Sequence, residues 1–251
     1  MDVTLQFSST PDRGMVIVPP ERIEAVFVTP PVWSPAERDT VAADKVKWDG
    51  RTLVGAYYDC VLNNYDCPSR DQFWEHYLTC NQAEAATAAG PVLEAMRWRC
   101  LRAYNSFILE HQLLGLLAET RLFRSVTKSE SLDTNSAVDL LLVLGTGEQI
   151  GVQIRTGTAF GDQWGKKKAR RQAIRTVNGT STYMGEVLEF SCPFEHMIPV
   201  RARRPNNCDA KLHMYSKTNA MTLVNLVHCN GETVSLPPRV HPGKPMQYRL
   251  N

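Results

Sequence analysis

A chain of 251 residues, 43% of them hydrophobic and 22% charged, carries enough apolar material for a sizeable core and reads as ordinary globular protein. Its formal net charge of +2 excludes the global basic field that would by itself mark a nucleic-acid binder. No apolar run reaches the roughly 18 residues of a membrane-spanning helix, and the opening MDVTLQFSSTPDR lacks the basic-then-apolar order of a secretory leader.

Residues 1 to about 50 hold β-branched runs broken by paired prolines, as in MVIVPPERIEAVFVTPPVWSP. That pattern predicts edge strands or a surface arm. RTLVGAYYDCVL fits either a strand or a short helix. SRDQFWEHYLTCN predicts a helix capped by Ser69. The seven cysteines are odd in number and scattered, which suits the reducing cytoplasm better than a disulfide framework. The nearest approach to a metal cluster is Cys60, Cys67, His76 and Cys80. It has no C-x-x-C knuckle, and it reads as buried or idle thiols more readily than as zinc ligands.

PVLEAMRWRCLRAYNSFILEHQLLGLLAETRLF, from Pro91 to Phe123, is the strongest helical signal, with proline in its first turn. It reads as one helix, or as two meeting near Asn105 and Ser106. A step of about 100° per residue places Glu110 between Leu114 and Leu117, inside an apolar stripe, and Glu119 on the opposite side with Gln112. A carboxylate on a buried face needs a partner or a cation. The adjacent His111 reads as a packing or hydrogen-bonding histidine.

After a polar link, TKSESLDTNS, the stretch VDLLLVLGTGEQIGVQIRT predicts a two-stranded hairpin turning at GTGEQ. Alternation puts Val138, Leu140, Leu142 and Leu144 on one face of the first arm and Asp139 on the other. In the second arm Gln153 and Arg155 share a face, and pairing can bring Asp139 near both. GTGEQIG is no phosphate loop, because no G-K-[ST] follows and it lies inside a hairpin. Beyond it, KKKARRQAIR, residues 166 to 175, packs six positive charges into ten residues and is helical in its second half. Trp164 stands beside it. Such a segment reads either as a solvated helix face or as phosphate-binding surface, with Trp164, Lys166, Lys167, Lys168, Arg170, Arg171 and Arg175 as its nucleic-acid-binding residues. YMGEVLEFSC, KLHMYS and MTLVNLVHC then read as strands. The whole order predicts a mixed α/β or α+β fold: an extended and β-plus-helix region over 1–90, a core over 91–178, and a β-rich part over 179–251 completing the same domain.

A helix glutamate, a strand aspartate and a Q-x-R on the next strand resemble the active site of the PD-(D/E)xK, or restriction-endonuclease-like, superfamily. The transposon-end nucleases of the Tn7 type are the precedent for glutamine in the third position. The resemblance covers about residues 95 to 175. It implies a central mixed sheet flanked by helices, with β-rich N- and C-terminal additions, and Glu110, Asp139, Gln153 and Arg155 as catalytic residues. It also implies Mg²⁺ or Mn²⁺ held by Asp139, the Gln153 amide, the Ile154 carbonyl and Glu110. The activity implied is hydrolysis of DNA to 5′-phosphate ends, in a phage, mobile-element or defence setting. Arg155 departs from the family's lysine: arginine stays charged and is a poor general base. Two arrangements stay open there, an electrostatic arginine in a working site or an Asp139–Arg155 ion pair in an inactive one. The function classes are accordingly a metal-dependent DNA endonuclease, an inactive module of the same fold that binds DNA or a protein partner, and a phage or assembly protein that forms oligomers.

Overall fold

The computed structural model describes residues 16–28, 48–64, 66–156, 166–167, 170, 174, 178–179, 181, 183–192, 196–201 and 211–228. Helix α1, Pro20–Val28, is followed by α2, Leu53–Asn64, and α3, Arg70–Cys80. A short α4, Gln82–Thr87, leads to the long α5, Gly90–Thr120. Strands β1, Ser125–Thr127, β2, Leu140–Val143, β3, Gln149–Thr156, and β4, Val187–Cys192, form one sheet in that order. Its first three strands are antiparallel, and β4 runs parallel to β3. Strands β5, Ile198–Arg201, and β6, Lys211–Met214, make a separate antiparallel pair before α6, Lys217–His228. The chain is thus a mixed α+β protein with a four-stranded mixed sheet flanked by helices. Among the described residues no helix is long and apolar enough to cross a membrane.

Several local expectations hold for the reasons that generated them. Ser69 caps α3 through a full capping box: its side chain accepts from the Gln72 N–H, and the Gln72 side chain accepts from the Ser69 N–H. The long helix is continuous through Asn105 and Ser106. RTLVGAYYDCVL resolves as helical, with Thr52 Oγ1 accepting from the Gly55 N–H at the start of α2.

Two segments read as strands are helices. In PERIEAVFV, proline occupies the first position, where its missing N–H is harmless, and the buried Ile23 faces α5. Nearby prolines outweighed this pattern in the sequence. MTLVNLVH belongs to α6, whose Ala220, Leu223, Val224 and Val227 recur at helical spacing and are buried. The expected β-rich N-terminal addition is therefore corrected, since the elements among its described residues are helices, whereas the C-terminal part carries β4, β5 and β6 together with α6, which packs on α5.

One apolar core runs from Val18 through Tyr57, Phe73, Leu113 and Leu140 to Phe190 and Val227. A smaller one beneath the other sheet face gathers Leu132, Val138 and Tyr183. Val138 does not share a face with Leu140 as simple alternation requires, because the chain bends at Asp139 and turns Val138 over. Two glycines record close approaches. A Cβ on Gly115 would meet the Val18 carbonyl at 2.9 Å, and one on Gly151 would meet the Tyr183 ring at 2.8 Å.

The second half of α5 departs from an amphipathic stripe. Every residue from Phe107 to Leu117 is buried, Glu110, His111 and Gln112 included. Each of those three polar side chains has a partner from another part of the chain. His111 sets Nε2 2.8 Å from the Val16 carbonyl and Nδ1 3.2 Å from the Tyr57 hydroxyl. Gln112 accepts from the Tyr215 N–H and donates to its carbonyl. Burial lowers the His111 pKa from 6.5 to about 4, so the imidazole folds neutral. Protonation then favours unfolding: the contribution is complete above 6.5 and is lost as pH falls towards 4. Chemical denaturation of wild type and His111→Asn across that interval should show the wild-type advantage shrinking by up to about 3 kcal/mol. A constant difference would contradict a neutral, buried His111.

Candidate functional site

Glu110 is 7% exposed on α5, and the group that answers its charge is Lys128, which is fully buried just after β1. Lys128 Nζ lies 2.5 Å from Glu110 Oε2 and 3.9 Å from Asp133 Oδ2. The Ser106 hydroxyl donates to the other Glu110 oxygen at 3.3 Å. The Tyr58 ring closes one side, its centroid 5.8 Å from the ammonium. Burial by itself would lower the Lys128 pKa, but Glu110, then Tyr58, Asp133 and Asp139, together outweigh it and hold it well above the usual lysine range. The ammonium is therefore charged.

Asp133 reaches this centre from a π-helical turn, Leu132–Ser136. The turn ends at Ala137, whose φ of 56° is left-handed, a conformation costing a residue with a side chain about 1–2 kcal/mol. Ser136 ties the turn down by accepting from the Tyr183 N–H at 2.9 Å. Tyr183 in turn is fixed by its hydroxyl, which donates towards the Gln149 and Glu186 carbonyls and accepts from the Gly151 N–H. The reversal at Ala137 delivers Asp139 to the head of β2. There its N–H donates to the Val152 carbonyl, and its Oδ2 accepts from the Ile154 N–H at 2.8 Å. A carboxylate has taken the place of a ladder carbonyl where β2 begins, which fixes Asp139 without consuming its second oxygen in that bond.

One carboxylate oxygen from each of Glu110, Asp133 and Asp139 lies within 4.8 Å of the others. Three convergent carboxylates and one ammonium leave a formal charge of −2 in a largely buried place. Such a set is chemically suited to a hard divalent cation, which prefers oxygen donors.

The residues expected at the site divide. Glu110 and Asp139 come together. Ile154 contributes its N–H to Asp139, and its side chain packs on the main core. Gln153 is buried on β3, opposite Glu189 of β4. Arg155 shares a face with Gln153 and forms an ion pair with Glu189 across the β3–β4 rungs. Lys166, Lys167 and Arg170 are helical and exposed; Trp164, Lys168, Arg171 and Arg175 lie outside the described residues. Glu119 stands on the outer side of α5, half exposed and 3.5 Å from Lys217.

Lys128 and Asp133 are the two members that sequence reading missed. Both lie in TKSESLDTNS, a polar stretch with the composition of a solvent-exposed link. The one available signal was the demand of Glu110 for a cation, and Arg121, Arg124 and Lys128 all follow the helix closely enough to have met it.

Removal of the buried ammonium exposes the charge of the cluster. Lys128→Met should lose about 3–5 kcal/mol, the range for breaking a buried ion pair from one side. The double variant Lys128→Met/Glu110→Gln should recover much of it, because no uncompensated carboxylate then remains at position 110. Urea unfolding of the four members of that cycle measures the coupling, and additive losses would show that the pair is not coupled.

Comparison with protein-family models, with curated proteins and with solved structures finds no match to this chain.

Proposed function

We propose that this chain is a metal-dependent DNA phosphodiesterase of the restriction-endonuclease-like type, with Glu110, Asp133 and Asp139 as its cation-binding carboxylates. The observation that carries this reading is their convergence from three separate elements beside a buried lysine. A glutamate on a helix, an aspartate at the head of the hairpin and a mixed sheet behind them are what the superfamily resemblance implies. Hard oxygen donors suit Mg²⁺ or Mn²⁺. Bound there, such an ion supplies charge compensation at a scissile phosphate and lowers the pKa of an attacking water.

The protein's own groups have distinct tasks in this reading. Asp139, fixed by the Ile154 N–H, is the central ligand; Asp133 and Glu110 flank it. Lys128 takes the electrostatic role of the family's lysine from a different place in the chain, since its ammonium already touches Glu110. Arg155, held by Glu189, steadies β3 and β4 and is not needed as a base. Lys166, Lys167 and Arg170 offer exposed charge to a phosphate backbone, and the free thiols of the described cysteines suit a reducing cytoplasm.

A second reading, a module of the same fold that binds DNA without hydrolysing it, is favoured by Lys128 itself. A fully buried ammonium already pairs with Glu110 and competes with any cation for it. Plasmid cleavage in Mg²⁺ or Mn²⁺ separates the two. Hydrolysis by the intact chain that disappears in Asp139→Ala and in Asp133→Asn, with DNA affinity retained, supports the enzyme. Cleavage unchanged in both variants overturns the site. For DNA binding, replacing Lys166, Lys167 and Arg170 by alanine should weaken affinity uniformly across sequences. It should also reduce the slope of log affinity against log salt by about 0.9 for each lost phosphate contact. An unchanged slope would assign the basic segment to solvent.

A further inference from the structure

A second group of side chains, on α2 and α3, combines three different donor chemistries. His76 and Cys80 stand four residues apart on α3, a spacing that places them on one helix face, and His76 Nε2 lies 3.5 Å from Cys80 Sγ. Asp59 on α2 comes to the same place, with one ligand atom of each residue within 4.8 Å of the other two. We propose that Asp59, His76 and Cys80 form a binding site for a thiophilic divalent cation of the zinc(II) type, separate from the carboxylate centre.

The donor set distinguishes the two places. Imidazole nitrogen, thiolate sulfur and carboxylate oxygen together select a borderline-soft ion, whereas the Glu110 cluster offers oxygen alone. Tetrahedral zinc, with bonds of about 2.0–2.3 Å, holds its ligand atoms about 3.3–3.8 Å from one another. The His76–Cys80 separation already falls in that range, and the carboxylate, within 4.8 Å of both, is the donor left to close on the ion. Three protein donors leave a fourth position for water or an exogenous ligand, and all three side chains are only partly buried, which keeps that position reachable.

Asp59 is also held from behind. Arg51 donates to its two oxygens at 2.6 and 2.9 Å, and is itself fixed by two bonds of 2.7 Å to Glu130. Each carboxylate oxygen keeps a second lone pair, so the guanidinium orients the ligand as outer-shell partners of metal sites do. Thiolate is the ligating form of cysteine, so cation binding at Cys80 displaces its thiol proton. The sequence had grouped His76 and Cys80 with Cys60 and Cys67. In the fold Cys67 turns instead to Tyr57 and His111, and Cys60 to Asn64.

Titration of the reduced full-length protein with Co²⁺, a spectroscopic stand-in for zinc, tests the proposal. A thiolate-to-cobalt charge-transfer band should appear and should be displaced by Zn²⁺. Cys80→Ser should abolish the band, and His76→Ala should weaken Co²⁺ binding at least about tenfold. Asp139→Asn should leave the band intact, because an all-oxygen centre cannot produce it; this separates the outcome from that of the phosphodiesterase reading. In the unmodified protein, Zn²⁺ should also protect Cys80 from alkylation, a readout that needs no variant to fold. Absence of the band, its survival in Cys80→Ser, or unprotected Cys80 overturns the site.

Discussion

The burial of the Glu110 carboxylate is the constraint around which the rest of this molecule is arranged. It sits in the half of α5 that is enclosed on every side, where an isolated charge is prohibitively unfavourable. Lys128 resolves the problem, and in doing so it fixes where β1 ends against α5. The polar link that follows must then start from a fully buried ammonium, not from solvent. Its next turn brings Asp133 towards the same lysine, and the left-handed Ala137 turns the chain so that Asp139 arrives at the head of β2. Three carboxylates thus converge because one of them had to be neutralised.

Such a pair gives little net stability, because desolvation of both ions offsets most of their attraction. Its effect is to make alternatives unfavourable: a slipped β1 or a rotated α5 would strand a charge. Glu110, His111 and Gln112 act together in this sense. They point in three directions from consecutive positions and engage the residues after β1, the segment before α1 and the backbone after β6. The long helix is thereby registered against N-terminal, central and C-terminal parts of the chain by polar contacts, while its leucines supply the apolar burial.

Arg51 links the two places where cations can be held. It clamps Asp59 on one side and Glu130 on the other, and Glu130 stands two residues from Lys128 and three from Asp133. The α2–α3 pair and the link after β1 therefore share a fixed guanidinium, although their donor chemistries differ.

Much of this was legible in residue order. The capped α3, the long α5, the β2–β3 hairpin and the anomaly of Glu110 followed from capping, periodicity and the cost of a charge in an apolar stripe. The helical wheel also put Glu119 correctly on the outer side. It misjudged Gln112, which is buried, because a wheel assumes one wet face and this part of α5 has none. Helices α1 and α6 were hidden by neighbouring prolines and by β-branched residues that packing on α5 overrides. Sequence alone determined that Glu110 and Asp139 each required a partner. Only the tertiary structure decided that Lys128 would answer Glu110, that the Ile154 N–H would hold Asp139, that Asp133 would join them and that Arg155 would turn to Glu189. Charge in a low-dielectric interior is satisfied by whatever group the fold brings within a few ångströms, and that distance is set by chain reversals and strand registers far from any one motif.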